Sequence, residues 1–282
     1  MTVLAPGEIR ARRRPALLLG VAALRLLAGF CLAWPLSSLV ASSGVGLRAE
    51  GDRALFEGGG YFLAEILRLR GGELEAVARG LLPVFAVGLL LTAAGNAALL
   101  VGLSWRGRLG PRELLSRASE RLPTLIVLGV GTALAQLVLL VAGGMLVAAV
   151  PEPIAKPVAT TFAQAALWLA VALGLGALGG FSDIVKASLV RHESRLAEAL
   201  GRALKCLRHL PIRATFGWIP YAAGFLAAAA VAAKLTDLGD VSRPGAWRLA
   251  LVFALHQAVI IVAVAARAAW FARALRLVAT DV

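Results

Sequence analysis

The side chains of this sequence that could do chemistry are the charged and polar residues in and around its apolar stretches. Asp183 and Lys186 follow an uncharged run over 158–182. They are three positions apart, so on a helix they share a face and can form an ion pair. Two interpretations are open. The pair is either an ordinary charged helix end or a latch that holds this end against a basic neighbour such as Arg25 or Arg267.

Polar side chains also interrupt the apolar stretches themselves, where an ionisable group is costly and is a functional candidate by default. These candidates are Arg25, Asn96, Gln136, His256 and Gln257. Arg25 either extends its long side chain back to the lipid headgroups or pairs with a buried acid such as Asp183. His256 either hydrogen-bonds a neighbouring helix or relays protons. Asn96 and Gln136 are predicted to form hydrogen bonds between helices.

Catalytic signatures are missing from the sequence. It contains no HExxH, no GxSxG and no phosphate-binding GxxxxGK[ST] motif. Its two cysteines, Cys31 and Cys206, are far apart and lack the spacing of a metal site. We therefore expect a non-enzymatic protein without a metal or another cofactor.

The composition is that of a membrane protein, with 60% hydrophobic and only 16% charged residues. Six uncharged or nearly uncharged windows reach the roughly 20 residues that cross a bilayer as a helix. The predicted fold class is an all-α, polytopic transmembrane helical bundle with short amphipathic interfacial helices, in a single domain over 1–282. The predicted spans are about 16–41, 80–105, 123–150, 158–182, 212–234 and 247–270.

Basic residues predict the orientation of these spans. If the N-terminus is inside, inner segments carry about twice as many Lys and Arg residues as outer segments, as the positive-inside rule requires. Both termini are then cytoplasmic. The net charge of +13 is explained by these loops, so we expect no nucleic-acid partner.

Small residues recur at four-residue intervals in the fourth predicted span, at Ala172, Gly176 and Gly180. Residues at this spacing lie on one helical face, and small side chains there let two helix backbones approach closely. The pattern predicts a packing face toward another helix of this chain or of a second chain.

The segment 193–209 has the pattern of an amphipathic helix. A stripe of leucines, at positions 196, 200, 204 and 207, is separated from basic residues. Such a helix can lie on a membrane surface, with its basic side chains on anionic headgroups. The candidates for headgroup contact are Arg195, Arg202, Lys205 and Arg208. The alternative is a connector that packs against its own bundle.

Two stretches resemble a pattern in uncharacterised bacterial integral membrane proteins: "DRALFEGGGYFLAEILR" (52–68) and "SDIVKASLVRHESRLAEALGRALKCLRHLP" (182–211). In that pattern an Asp and a basic residue three positions later close a span. The layout is also similar to the six-helix membrane domain of bacterial glycerophosphodiester phosphodiesterases. The phosphodiesterase barrel has no counterpart in these residues, so the resemblance implies a bacterial inner-membrane location and a layout, and no activity.

Two functions follow as hypotheses. The first is a non-enzymatic, multi-pass inner-membrane scaffold or accessory subunit, whose partner is another membrane protein or a second copy of the chain. The second is a transporter or lipid-handling protein. A cavity lined by Arg25, Asn96, Gln136 and His256 would favour the second, and a dry centre packed with Ala, Gly and Leu would favour the first.

Overall fold

The computed structural model describes residues 4–42, 71–105, 109–150, 157–238 and 246–280. Eight α-helices make up most of these ranges, and two short 3₁₀ turns, Pro6–Glu8 and Ala11–Arg13, precede them. The helices are α1 (Pro15–Ser42), α2 (Gly71–Ser104), α3 (Pro111–Ala148), α4 (Pro157–His192), α5 (Leu196–His209), α6 (Pro211–Phe216), α7 (Ile219–Leu238) and α8 (Ala246–Ala279).

Five stretches of the described residues are long and apolar enough to cross a membrane. They are Ala86–Ser104, Pro111–Ala148, Thr161–His192, Pro211–Thr236 and Ala250–Ala279. Helix α1 contributes a shorter apolar helix over Pro15–Cys31. The predicted all-helical membrane fold is therefore confirmed, and the sixth span stays a prediction. Much of the segment 42–79, between the first two predicted spans, lies outside the described residues.

Two helices differ from the predicted spans. Residues 111–122, which precede the predicted third span, are continuous with it in α3, although Pro123 lies inside the helix. A proline removes one backbone donor, and a long helix of otherwise good helix formers tolerates this loss. The predicted fifth span is divided, because the backbone turns at Gly217 and Trp218 between α6 and α7.

Helix α4 continues ten residues beyond the predicted span end at 182, to His192. It stops where Glu193 adopts a φ of 49°. This left-handed conformation commonly ends a helix, although glycine adopts it at lower cost. Asp183, Lys186 and Arg191 therefore belong to the helix itself, and the packing described below accommodates the first of them.

The chain divides into two compact units. The first comprises residues 1–17, 96–223 and 266–282. Its core contains Leu99, Ile184, Phe271 and Leu275, each at most 1% exposed. Helix α4 is central to this unit because it contacts α3, α5 and α6.

The N-terminal segment belongs to the core of the first unit. Ile9 is completely buried. The Leu4 amide donates to Ser104 O at 3.0 Å, and the Arg14 guanidinium donates to Trp105 O at 2.8 Å. The Arg191 guanidinium donates to Leu4 O at 3.2 Å. Residues 4–14 are therefore attached to the ends of α2 and α4 by backbone and side-chain bonds.

The second unit comprises residues 18–95 and 224–265. It holds most of α1, α2, α7 and α8. Val21 packs close to the backbone of α2 at Gly95, where a β-carbon would lie 3.2 Å from Val21 Cγ1. The approach of α1 and α2 at this point depends on the missing side chain of glycine.

Candidate functional site

A buried carboxylate, Asp183, forms the centre of a polar cluster in the first unit. Its side chain comes from α4 and the residue is 1% exposed. Arg267 of α8 binds it with both terminal nitrogens, Nη1 at 2.6 Å from Oδ2 and Nη2 at 2.7 Å from Oδ1. This two-bond geometry is the strongest common form of an ion pair and fixes both position and angle. The cluster joins α4 to α8.

Two further donors complete the cluster. Trp270 Nε1–H donates to Asp183 Oδ2 at 2.9 Å, and Lys186 Nζ lies 3.4 Å from Oδ1. Trp270 is 2% exposed. The Arg267 guanidinium also lies over the Phe271 ring, 4.5 Å from its centroid. Both carboxylate oxygens therefore accept two donors each, which compensates the cost of burying the charge.

Helical spacing produces this arrangement. Asp183 and Lys186 are three positions apart on α4, and Arg267 and Trp270 are three positions apart on α8. Each pair shares a face, and the two faces meet. The proposed partner Arg267 is therefore the one that binds Asp183. We interpret the cluster as a helix-to-helix latch.

Trp270 was missed as a site residue. A tryptophan near the end of a span commonly belongs to an aromatic belt at the membrane surface, whereas the structure buries Trp270 as a donor to Asp183. The signal that could have identified Trp270 is its three-residue spacing from Arg267, which puts both side chains on one helical face. A buried tryptophan normally needs an acceptor for its N–H, and Asp183 supplies one.

The small residues of α4 pack against one tryptophan. A β-carbon at Gly176 would overlap the Trp218 ring, and one at Gly180 would lie 2.9 Å from Trp218 Cδ1. Trp218 Nε1–H donates to Thr215 O at 2.8 Å, which orients the ring. Ala172 is exposed and takes no part in this contact, so its predicted packing against a second chain stays a prediction. It lies one turn beyond the indole, which covers only Gly176 and Gly180.

The polar candidates lie on four different helices. Gln136 of α3 donates to Leu175 O of α4 at 2.8 Å, as an interhelical bond. His256 is exposed, and its Nδ1 lies 2.8 Å from Val252 O of its own helix. The prediction that His256 bonds a neighbouring helix is therefore wrong for the described residues. A histidine can satisfy one ring nitrogen with the carbonyl one turn earlier, which needs no neighbour.

Asn96 and Gln257 are half-buried. Arg25 is also half-buried, and it lines a cavity in the second unit. Asn96, Gln136 and His256 are not among the residues that line this cavity. This cavity is therefore not the one, lined by Arg25, Asn96, Gln136 and His256, that would favour a transporter.

Helix α5 has a buried edge that differs from its leucine stripe. Ala199, Ala203 and Cys206 are buried, whereas Leu204 is 50% exposed. Leu204 therefore lies away from the buried edge, and the predicted placement of α5 on a membrane surface stays a prediction. Small side chains pack closest to α4 and α6, and the leucines lie beside them or further around the helix. Burial raises the pKa of the Cys206 thiol.

The four basic residues proposed for headgroup contact, Arg195, Arg202, Lys205 and Arg208, are all exposed. Within the described ranges, no group of three or more His, Cys, Asp or Glu side chains could hold a metal ion.

Five long apolar helices and a buried ion cluster define the class of this protein as a helical, membrane-embedded protein. Comparisons with protein families, with curated proteins and with solved structures found no match to the chain.

Proposed function

We propose that the chain is a non-enzymatic, multi-pass protein of the bacterial inner membrane that serves as a scaffold or accessory subunit. The observation that carries this proposal is the Asp183 cluster. Both oxygens of this buried carboxylate are engaged by Arg267, Trp270 and Lys186. This group holds two helices together, which is a structural task.

A buried ion pair of this kind adds more to specificity than to net stability, because desolvation offsets much of the attraction. The bidentate contact permits one relative placement of α4 and α8. The interhelical Gln136 bond and the Trp218 contact restrict α3, α4 and the segment before α7 in the same unit. A fixed arrangement is what a partner protein would need to recognise.

Helix α3 offers a surface for such a partner. Its exposed apolar residues include Val127, Leu134, Val138 and Met145, which are 59–69% exposed. Residues 127, 134, 138 and 145 recur at intervals of seven and four, which places them along one helical stripe. In a bilayer this stripe contacts either lipid or the helix of a partner, a second copy of the chain included.

The proposal is tested with a photoreactive amino acid at Val138 in the full-length chain in its native membrane. A scaffold should give one dominant crosslinked protein, and substitution of Leu134 by Arg should abolish the product. The matched control is a photoreactive group at Phe162 of α4, which is 72% exposed. Crosslinks to lipid alone at Val138 would contradict the proposal.

We expect both termini in the cytoplasm, since basic residues are concentrated in the segments that this orientation puts inside. Reporter fusions after residue 60 and after residue 240 should read external, and a fusion after residue 200 should read cytoplasmic. A cytoplasmic reading after residue 60 would overturn this orientation.

We further propose that α5 meets anionic headgroups through its exposed basic side chains. Each basic residue near an anionic surface contributes about 1 kcal/mol, and salt screens the attraction. Changing Arg195, Arg202, Lys205 and Arg208 to Gln should therefore weaken retention of anionic lipid by the purified protein by at least tenfold. Native mass spectrometry with anionic and zwitterionic lipids measures this effect.

A matched variant with Lys at Arg195, Arg202 and Arg208 keeps the charge and should retain the lipid. Equal lipid retention by the Gln and Lys variants would show that α5 serves only as a connector. The buried Ala199, Ala203 and Cys206 edge is common to both variants, so the packing of α5 on the bundle is unchanged.

A further inference from the structure

The second unit contains a partly open cavity of about 490 Å³ between α1, α2, α7 and α8. This size is within the range of about 300–1,000 Å³ that is typical of small-molecule sites. Apolar side chains form most of its wall, including Leu89, Phe225 and Ile260. Gly29 and Gly88 also line it, and they leave room that larger side chains would fill.

The wall of this cavity consists of stretches that are apolar enough for the interior of a membrane. On α2 it belongs to Ala86–Ser104, on α7 to Pro211–Thr236 and on α8 to Ala250–Ala279. On α1 it belongs to the shorter apolar helix Pro15–Cys31. Leu89 is 56% exposed, so part of the wall lies at the surface of the protein. In a bilayer, lipid chains therefore have access to the cavity.

The polar side chains in the wall do not require a polar ligand. The Thr92 hydroxyl donates to Gly88 O at 2.9 Å, within α2. Arg25 also lines the cavity, and it already has an interaction partner in the protein. A buried water molecule typically makes about three hydrogen bonds, which this wall does not supply among the described residues. The features of the wall therefore favour an uncharged, apolar ligand.

The volume of the cavity limits the size of this ligand. Wall atoms that face an empty space lose their dispersion contacts, and a chain that fills the space restores them. A methylene group occupies about as much space as a water molecule, roughly 30 Å³, so 490 Å³ holds about sixteen such groups. One acyl chain fits this volume, and two acyl chains exceed it.

We propose that the cavity binds one hydrocarbon chain of a membrane lipid, about sixteen carbons long, which enters from the bilayer beside Leu89. The chain belongs either to a phospholipid whose head stays at the membrane surface or to a free single-chain lipid. The site lies in the second unit, whereas the scaffold proposal rests on the Asp183 cluster of the first unit. Each proposal can therefore fail without the other.

The experiment uses the full-length, delipidated protein in detergent. Hexadecanol is the free single-chain probe, and a lysophospholipid with a hexadecanoyl chain is the probe that carries a headgroup. Native mass spectrometry should show one bound hexadecanol. The melting temperature should rise by several degrees, because a ligand that binds only the folded state stabilises it. A protein that binds neither probe would overturn the proposal.

The two probes also distinguish the sources of the chain. Binding of both identifies a bilayer phospholipid as a source, because a headgroup is then tolerated at the mouth of the cavity. Binding of hexadecanol alone identifies a free single-chain lipid. Either result supports a site for one hydrocarbon chain.

Chain length and charge test which part of the ligand is recognised. Octanol should raise the melting temperature less than hexadecanol, because its shorter chain leaves part of the cavity empty. Hexadecanoate should bind no more tightly than hexadecanol, because Arg25 already has a partner. Equal stabilisation by octanol and hexadecanol would overturn the proposal, as would a clear preference for hexadecanoate.

Variants locate the site. Gly29→Leu places a side chain in the cavity and should abolish both the binding of hexadecanol and the rise in melting temperature. Gly20→Leu, on the same helix, is the matched control and should change neither. Both glycines have open space where a β-carbon would lie, and Gly20 is not among the residues that line the cavity. Ala263→Leu fills the cavity from α8, because Ala263 also lines it.

Thermal unfolding of each variant without lipid shows whether it is folded. If Gly29→Leu does not fold, Ala263→Leu decides the result, and the comparison of octanol with hexadecanol uses the unchanged protein. Undiminished hexadecanol binding by a folded variant with a filled cavity would overturn the proposal.

Discussion

Asp183→Ala is expected to lower the free energy of unfolding by about 3–5 kcal/mol, which is typical when one partner of a buried ion pair is removed. The substitution leaves Arg267 without its counter-charge and removes the shared anion between Arg267 and Lys186. It also leaves the buried Trp270 N–H without an acceptor. Thermal unfolding of the detergent-solubilised protein, followed by circular dichroism, measures the change.

A variant without charges in the cluster shows whether the cluster only holds the two helices together or whether its charges are needed for function. In the triple variant Asp183→Leu, Lys186→Met and Arg267→Met, no charge remains buried, so most of the lost stability should return. If the latch acts only by holding α4 against α8, the triple variant should also give the crosslinked product at Val138. Recovery of stability without recovery of the product would show that the charges serve function directly.

A surface acid provides the control for this series. Glu198 of α5 is exposed, and Glu198→Gln should change stability by no more than about 0.5 kcal/mol. If Asp183→Ala were equally mild, the latch would contribute nothing to the fold.

Gly176→Leu and Gly180→Leu should each destabilise the protein by about 1–3 kcal/mol, the usual cost of overfilling a packed contact. The Trp218 ring occupies the space that the new side chain needs. Ring rotation is restricted by its bond to Thr215 O, so the helix or the ring must shift. Chemical or thermal unfolding in detergent gives the magnitude.

Ala172→Leu is the matched control, because Ala172 lies on the same helix and is exposed. It should leave stability nearly unchanged. The double variant Gly176→Leu with Trp218→Ala should lose less than the sum of its two single changes, because the smaller residue makes room for the leucine. Strict additivity of the two changes in the free energy of unfolding would mean that there is no steric conflict between position 176 and Trp218.

The apolar stretches by themselves were sufficient to predict the membrane class and most helices. Burying twenty consecutive apolar residues in a bilayer is a local property of the chain, so no tertiary information was needed. The sequence predicted only part of the bidentate latch. The shared face of Asp183 and Lys186 follows from helical geometry, while the choice of Arg267 over Arg25 depends on which helices meet.

Helix lengths needed the tertiary structure. The charge at Asp183 seemed to end its span, yet α4 continues to His192 because partners from α8 neutralise the carboxylate. The sequence did not predict the buried edge of α5, because this edge also depends on contacts between helices. By hydrophobicity alone, leucine is expected at a buried position before alanine. Because α5 approaches α4 and α6 closely, the small side chains of Ala199 and Ala203 are buried instead.

The amino-acid sequence by itself determined that the chain forms long apolar helices with basic ends, because helix formation and membrane insertion depend on neighbouring residues. Only the tertiary structure decided that Trp270 donates to Asp183, that Trp218 covers Gly176 and Gly180, and that Arg25 lines an apolar cavity. These contacts join residues far apart in the chain. Their selection depends on complementary shape and charge across helices, which a linear pattern does not contain.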